Sequence, residues 1–302
     1  MKYRTLGKSG LRVSAIGLGC VTFGREIDEA AAFAVMDRAV AAGITLFDTA
    51  EAYAGGQSEE IVGRWLAERG TRDCIVLTTK VRPPLDGTRV LESAEASLRR
   101  LRTDAVDLFL LHSWDPSAPL DETLEALDTL ARQGKARAVG CSIVAAWQLC
   151  KALWRQDVRG WSRMEAVQEN YNLVVRDIEM ELMPLCADQE VGVITYSPLG
   201  GGFLTGKYSR RDAAPAGTRF DVVPGMQPIY LHEAGFRILA GLAGKAAELG
   251  TTSPVLALAW AMTHPGITSV LIGARSPEQV DQALEADALG MTPELRAELS
   301  AL

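Results

Sequence analysis

Residues 44–80, ITLFDTAEAYAGGQSEEIVGRWLAERGTRDCIVLTTK, decide the fold. An apolar run, Ile44-Thr45-Leu46-Phe47, ends at Asp48. A segment of helical period follows over 59–69, and a second apolar run, 75–79, ends at Lys80. Neither run alternates apolar with polar residues as a half-exposed strand would. Both therefore predict strands covered on two faces, and the piece between them predicts their crossover helix. Together they make one repeat of a parallel sheet with helices packed on it.

The same unit recurs in both directions along the chain. Candidate strands lie at 15–19, 44–47, 75–79, 106–111, 136–140, 166–168, 191–195 and 269–272. The residues just past four of them, Asp48, Lys80, His112 and Ser142, are spaced 32, 32 and 30 apart, close to the ~30 residues of a βα unit. Helical patterns fill 28–42, 59–69, 88–101, 120–133, 145–155, 178–189, 253–263 and 277–289, and helical character runs on past Thr292. Ser253-Pro254 and Ser276-Pro277 supply caps and first-turn prolines. Eight repeats in 302 residues predict an α/β fold, a (β/α)8 TIM barrel, as one domain over 1–302. Two pieces stand outside the repeat. Residues 3–13 carry a Gly-Lys-Ser-Gly turn and predict an N-terminal β-hairpin, and 200–227 form a Gly-, Pro- and Arg-rich long loop after the seventh strand.

Composition narrows the function classes. With 48% hydrophobic and 23% charged residues, the chain matches soluble globular proteins. Its 31 basic and 38 acidic residues give a net charge of −7, the wrong sign for a nucleic-acid or anionic-membrane partner. The longest apolar run, 255–262, has 8 residues, far short of the ~20 that span a bilayer. Lys2, Arg4, Lys8 and Arg12 precede an apolar stretch in the order of a signal peptide, but the glycines that follow and the lack of a small-residue cleavage site favour a strand. Cys20, Cys74, Cys141, Cys150 and Cys186 are odd in number and include no Cys-x-x-Cys pair. Reduced thiols, and hence a cytoplasmic location, are expected.

In a barrel of this kind chemistry sits at the carboxyl ends of the strands. There the sequence places Asp48, Tyr53, Lys80 and His112. A phenol with an ordinary pKa near 10 becomes a useful acid when a cation stabilises its phenolate. Lys80 is the candidate cation, Asp48 the carboxylate that holds it, and His112 the hydrogen-bond donor to an oxygen that gains charge. The set suits reduction of a carbonyl.

With these residues in view, the chain resembles the aldo-keto reductase superfamily from Lys2-Tyr3-Arg4-Thr5-Leu6-Gly7 through Pro277-Glu278-Gln279. The stretch 43–53, ending at Tyr53 and followed by Ser58-Glu59, resembles the signature around the family's catalytic tyrosine. The resemblance implies that Tyr53 is the general acid, that Asp48, Lys80 and His112 complete a catalytic tetrad, and that a nicotinamide cofactor delivers hydride. It implies that Ser142 and Gln168 hold the nicotinamide carboxamide and that Tyr196, in Thr195-Tyr196-Ser197-Pro198-Leu199, stacks on its ring. It also implies that Ser197, Leu199, Gly201 and Lys207 run over the pyrophosphate, and that Gly273, Arg275 and Gln279 surround an adenosine 2′-phosphate. NADP(H) is thus the preferred cofactor, with NAD(H) possible. Two positions depart from the family pattern: Ile143 stands where many members have Asn, and Ala283 where an Asn lies near the adenine. Phe23, Trp114 and Tyr230 are expected to line the substrate pocket, for an aldehyde, ketone or sugar. The end of the chain at Leu302, without the tail that covers the pocket in many members, implies an open pocket and broad specificity.

Other readings are weaker. Gly201 to Lys207 fits a phosphate-binding G-x-x-x-x-G-K, but Tyr208 follows where Ser or Thr is needed. Gly17-Leu18-Gly19 begins a dinucleotide fingerprint, but Thr22 stands at its third glycine. His112, His232 and His264 are far apart and form no helical ligand pair, so no metal is expected. The competing class is a regulatory subunit of a channel that binds nicotinamide cofactor with little turnover. His112 favours the enzyme, because such subunits commonly carry Asn at this position. The sequence leaves oligomeric state and physiological substrate open.

Overall fold

A computed structural model describes residues 1–209 and 213–302. The chain opens with β1 (Tyr3–Thr5) and β2 (Arg12–Ser14), an antiparallel hairpin with Tyr3 opposite Ser14. Then come β3 (Ile16–Gly19), α1 (Glu29–Ala41), β4 (Leu46–Asp48), α2 (Gln57–Arg69), β5 (Val76–Val81) and α3 (Gly87–Leu101). They are followed by β6 (Val106–Leu111), α4 (Leu120–Arg132), β7 (Ala136–Ser142), α5 (Ala146–Arg159), β8 (Met164–Asn170), α6 (Leu182–Gln189) and β9 (Gly192–Tyr196). The last part holds α7 (Arg219–Val222), α8 (Gln227–Tyr230), α9 (Glu233–Glu248), α10 (Ser253–Met262), β10 (Ser269–Ile272), α11 (Pro277–Ala288) and α12 (Pro293–Ser300).

Strands β3 to β10 close into an eight-stranded parallel barrel in which β10 pairs with β3 and with β9. The expected (β/α)8 barrel and N-terminal hairpin are both present. Strand residues alternate between two apolar clusters, as the two-residue period requires. Leu46, Val76, Leu108, Leu110, Ala138, Ala166, Ile194 and Leu271 form the barrel interior with Leu6, Leu11 and Val13 of the hairpin. Their neighbours Phe47, Leu77, Phe109, Val139, Val167 and Val193 join the larger cluster beneath the helices. The hairpin thus stoppers the amino-terminal end of the barrel. Gly7 makes that possible: its φ is +54°, and a Cβ there would lie 2.3 Å from the Glu165 carbonyl oxygen.

Helix ends follow local chemistry. Asp28, Asp86, Thr252 and Thr292 accept hydrogen bonds from backbone N–H groups three residues on, and left-handed Gly70 and Gly160 end α2 and α5.

The structure differs from the sequence reading in four places. Helix α9 falls in a stretch for which no helix is expected from the sequence. Helical character does not run unbroken past Thr292, because α11 stops at Ala288 and Gly290, at φ +69°, turns the chain before Pro293 begins α12. Helix α6 begins at Leu182 rather than 178, after a 3-10 turn over Asp177–Glu179. The long loop after the seventh barrel strand carries a 3-10 turn, Gly200–Thr205, and the short helices α7 and α8. Its residues 210–212 lie outside the described residues.

Candidate active site

The floor of the site is built from strand ends. Asp48 closes β4, Lys80 sits one residue before the end of β5, and His112 follows β6, where its N–H donates to the Val81 carbonyl at 2.7 Å. Tyr53 lies beyond β4 in the 3-10 turn Tyr53–Gly56, where Ala54, Gly55 and Gly56 all take positive φ and swing the chain into α2. Ser58 of α2 anchors this turn: its hydroxyl donates to the Cys20 carbonyl at 2.8 Å and lies 2.9 Å from the Thr49 hydroxyl.

The four predicted side chains meet. Lys80, fully buried, donates to Asp48 Oδ2 at 2.7 Å, to the Thr49 carbonyl at 2.9 Å and to the Tyr53 hydroxyl at 3.1 Å. Three acceptors satisfy the three protons of the ammonium. The other oxygen of Asp48 accepts from Gln168 Nε2 at 2.7 Å, so a residue expected at the cofactor also holds the carboxylate. The His112 ring stands edge-on to Tyr53 with centroids 5.6 Å apart.

Electrostatics sets the protonation states. Burial favours a neutral amine at Lys80, but Asp48 and Tyr53 outweigh it and raise the pKa above its usual value. Burial is also the largest influence on Tyr53, and it raises the phenol above its ordinary value although Lys80 pulls the other way. Lys80 thus moderates the phenol without bringing it below 10. Tyr53 therefore holds its proton at neutral pH. Burial, and then the charge of Lys80, push His112 down to about 4, and its Nδ1 is buried without a partner among the described residues. A neutral imidazole there donates a hydrogen bond without adding charge.

Imidazole ¹⁵N shifts followed by NMR check this directly. His112 is expected to titrate near pH 4, and a midpoint above 6 would contradict it. Because its folded value lies below the unfolded one near 6.5, the unfolded chain binds more protons in that window. The His112 contribution to stability is therefore lost as pH falls from about 6.5 towards 4.

Above this floor lies a cavity of ≈ 550 Å³. Asp48, Tyr53 and His112 line it, and so do all ten residues expected at the cofactor: Ser142, Gln168, Tyr196, Ser197, Leu199, Gly201, Lys207, Gly273, Arg275 and Gln279. Both departing positions, Ile143 and Ala283, also reach its wall. The donor set is graded. Hydroxyl and amide groups of Ser142, Gln168 and Asn170 stand near the floor, Tyr196 beside them, and Lys207, Arg219 and Arg275 elsewhere on the wall. Side-chain amides and a hydroxyl for a carboxamide, a ring-stacking surface for a flat ring and a set of cations for phosphates match the chemical parts of a phosphorylated dinucleotide, so the residues fit that group. Gln279 orients Arg275 by accepting its backbone N–H at 2.8 Å, and the Arg275 guanidinium donates to the Gly217 carbonyl at 2.9 Å.

Three expected wall residues are corrected. Phe23 and Tyr230 are wholly buried. Phe23 packs in the core beside its bridge to Ile27, and Tyr230 stacks with Phe203 and Phe220 beneath the long loop, its hydroxyl between Asn170 and Asn172. Trp114 lies outside the cavity, over a small depression formed with Leu85, Asp115 and Ala118, and edge-on to Trp147.

Three residues escaped the sequence reading. Asn170 follows Gln168 by two on β8, so the strand period turns it to the same face; that signal was available. Arg219 sits in the irregular loop, where no period points to it. Glu169, on the opposite face, is buried and accepts the Val144 N–H at 2.8 Å; burial pushes its carboxyl up to about 7. Among the described residues no group of three His, Cys, Asp or Glu side chains is placed to hold a metal ion, and no helix is long and apolar enough to cross a membrane.

Residues 15–302 match the model of the aldo/keto reductase family. The chain belongs to the aldo/keto reductase family. Among curated relatives of this aldo/keto reductase, an uncharacterized oxidoreductase, YrpG, of Bacillus subtilis is 36% identical over 98% of the chain and 94% of its own length. A probable voltage-gated potassium channel subunit beta of Arabidopsis thaliana is 35% identical, covering 95% and 91%. Protein tas of Escherichia coli is 33% identical, covering 100% and 97%. The family, together with the relative named as an oxidoreductase, marks the protein as an NAD(P)H-dependent oxidoreductase.

Proposed function

We propose that the chain, acting as one domain over 1–302 in the cytoplasm, reduces aldehydes, ketones or keto-sugars to alcohols, reversibly, with NADP(H) preferred over NAD(H) and Tyr53 as the general acid. The observation that carries this reading is the buried Lys80 ammonium bridging Asp48 and the Tyr53 hydroxyl at the floor of the cavity. A bound nicotinamide supplies the hydride. Tyr53 holds a proton at Oη and gives it to the carbonyl oxygen as negative charge develops there. Lys80, kept cationic by Asp48, stabilises the phenolate that remains. His112, neutral, donates to the same oxygen. Ser142, Gln168 and Tyr196 hold the reacting ring, and Lys207 and Arg275 bind the phosphates.

A screen of aldehydes, ketones and keto-sugars, read by the absorbance of the reduced cofactor in both directions, tests the activity. The plant relative named as a channel subunit supports a second reading, a cofactor-binding regulatory subunit. A stoichiometric membrane partner in a pulldown, with no turnover across the screen, would establish that alternative.

Removing the Lys80 charge tests its coupling to the acid. Lys80→Met takes away an influence that lowers the phenol's pKa, so the alkaline limb of the reduction profile is expected to move upward. The rate at neutral pH falls as the phenolate loses its stabilising cation. An unmoved limb with a parental rate would separate Lys80 from the chemistry.

A further inference from the structure

Behind the cavity wall lies a buried carboxyl that carbonyl reduction leaves unused. Gln168 and Asn170 of β8 line the cavity, and Glu169 between them faces away from it, 7% exposed. No cation pairs with it among the described residues; what it holds is backbone. Its Oε1 accepts the Val144 N–H at 2.8 Å, and the Ile143 N–H also favours its charged form. Burial outweighs both and lifts the carboxyl to about 7. The titratable groups around it are neutral at that pH. Burial, and then the Glu169 charge, hold Cys141 of β7 and Cys186 of α6 above the ordinary thiol value, and the same two causes raise Tyr196 of β9. Arg163, ahead of β8, acts on Cys186 and not on the carboxyl.

The segment that Glu169 fastens is strained. Ile143 takes a φ of +52°, in the left-handed region disfavoured for a β-branched residue. Ser142 and Ile143 line the cavity, so the shape of this turn sets what the wall presents there. The Gln168 carbonyl accepts both the Ser142 hydroxyl at 2.7 Å and the Ile143 N–H at 3.3 Å. With its proton committed in this way, Ser142 offers the cavity the lone pairs of its oxygen, which suit the amino group of a carboxamide. Gln168 thus secures the start of the turn, and Glu169 secures its far side at Val144.

On the footing of the cofactor reading above, we propose that Glu169 is a positioning residue: its carboxylate holds the 142–144 turn in the form that offers the Ser142 oxygen to the nicotinamide carboxamide, and protonation of Glu169 slackens that hold. Ionised, Glu169 grips the Val144 N–H through a charge-assisted bond. Protonated, it keeps a carbonyl acceptor whose bond is about half as strong. The strained backbone is then freer to relax, and the cofactor binds more weakly on the acid side of the transition.

The test joins a probe of the turn to a probe of binding. Followed by NMR, the Val144 amide proton of wild type is expected to shift with a midpoint near 7. In Glu169→Gln, whose amide oxygen still accepts the bond but cannot ionise, it should hold still. Fluorescence titration should show the variant binding NADPH about three- to tenfold more weakly than wild type at about pH 8, and equally at about pH 6. Taking the ratio of variant to wild type at each pH cancels the titration of the cofactor's own phosphate. A role in packing alone would give a ratio that does not change with pH, and that result overturns the proposal. So does a wild-type Val144 proton that shows no transition, a readout that stands even if the variant fails to fold. If wild type binds neither NADPH nor NADH while Val144 titrates as described, the hold of Glu169 on the turn stands and the cofactor reading fails.

Discussion

Replacing Tyr53 with Phe is expected to slow carbonyl reduction by about 10²- to 10⁴-fold while NADPH affinity stays within a few-fold. The loss corresponds to roughly 3 to 5 kcal/mol of barrier, the usual contribution of a positioned general acid. The split follows from the geometry. The phenol oxygen contacts Lys80 at 3.1 Å on the floor, whereas the cation-bearing wall is formed by Lys207, Arg219 and Arg275. Phe keeps the ring that packs beside His112. Fluorescence titration of NADPH alongside single-turnover reduction checks both halves. A parental chemical rate would make Tyr53 only a wall of the cavity. Loss of binding together with a lowered Tm would make it structural.

The second large effect is expected at Arg275, on the cation-bearing wall. Arg275→Ala should weaken NADPH by about 10- to 150-fold and leave NADH nearly unchanged, the loss of one charge-assisted hydrogen bond worth roughly 1.5 to 3 kcal/mol. Arg275 is anchored at both ends, since Gln279 accepts its N–H and its side chain reaches the Gly217 carbonyl and the edge of Glu26 at 3.7 Å. Glu26 also sits 3.5 Å from Arg219, so the carboxylate gathers cations from separate segments. Equal losses for the two cofactors, measured by fluorescence titration, would remove Arg275 from the 2′-phosphate.

The barrel was legible because each strand is buried on both faces, and such strands appear as unbroken runs of Val, Ile and Leu. The floor of the candidate site was legible for the same reason, since Asp48, Lys80 and His112 are the polar residues that interrupt or end those runs. Helix α9 was not, because Gly235, Gly241 and Gly244 break its apolar period while tertiary contacts still hold it helical. Aromatic residues near strand ends misled in another way. Chain position placed Phe23 and Tyr230 at the rim, but the direction of a side chain in an irregular loop has no period, and both turn into the core. Glu169 lay hidden because it neighbours Gln168 on the opposite face, where the sequence pattern predicts an apolar residue.

The hairpin stopper has a bearing on proton supply. Below Lys80 the barrel is filled by Leu46, Val76, Leu108 and their neighbours, sealed by Leu6, Leu11 and Val13. Those side chains are apolar and relay no proton, the buried Thr78 hydroxyl on the same strand face has no partner among the described residues to pass one on, and Lys80 itself is wholly buried. In the proposed mechanism, the proton that Tyr53 gives up in each cycle is replenished through the rim, along the opening by which substrate arrives and product leaves, so that recharging the acid and emptying the site share one passage.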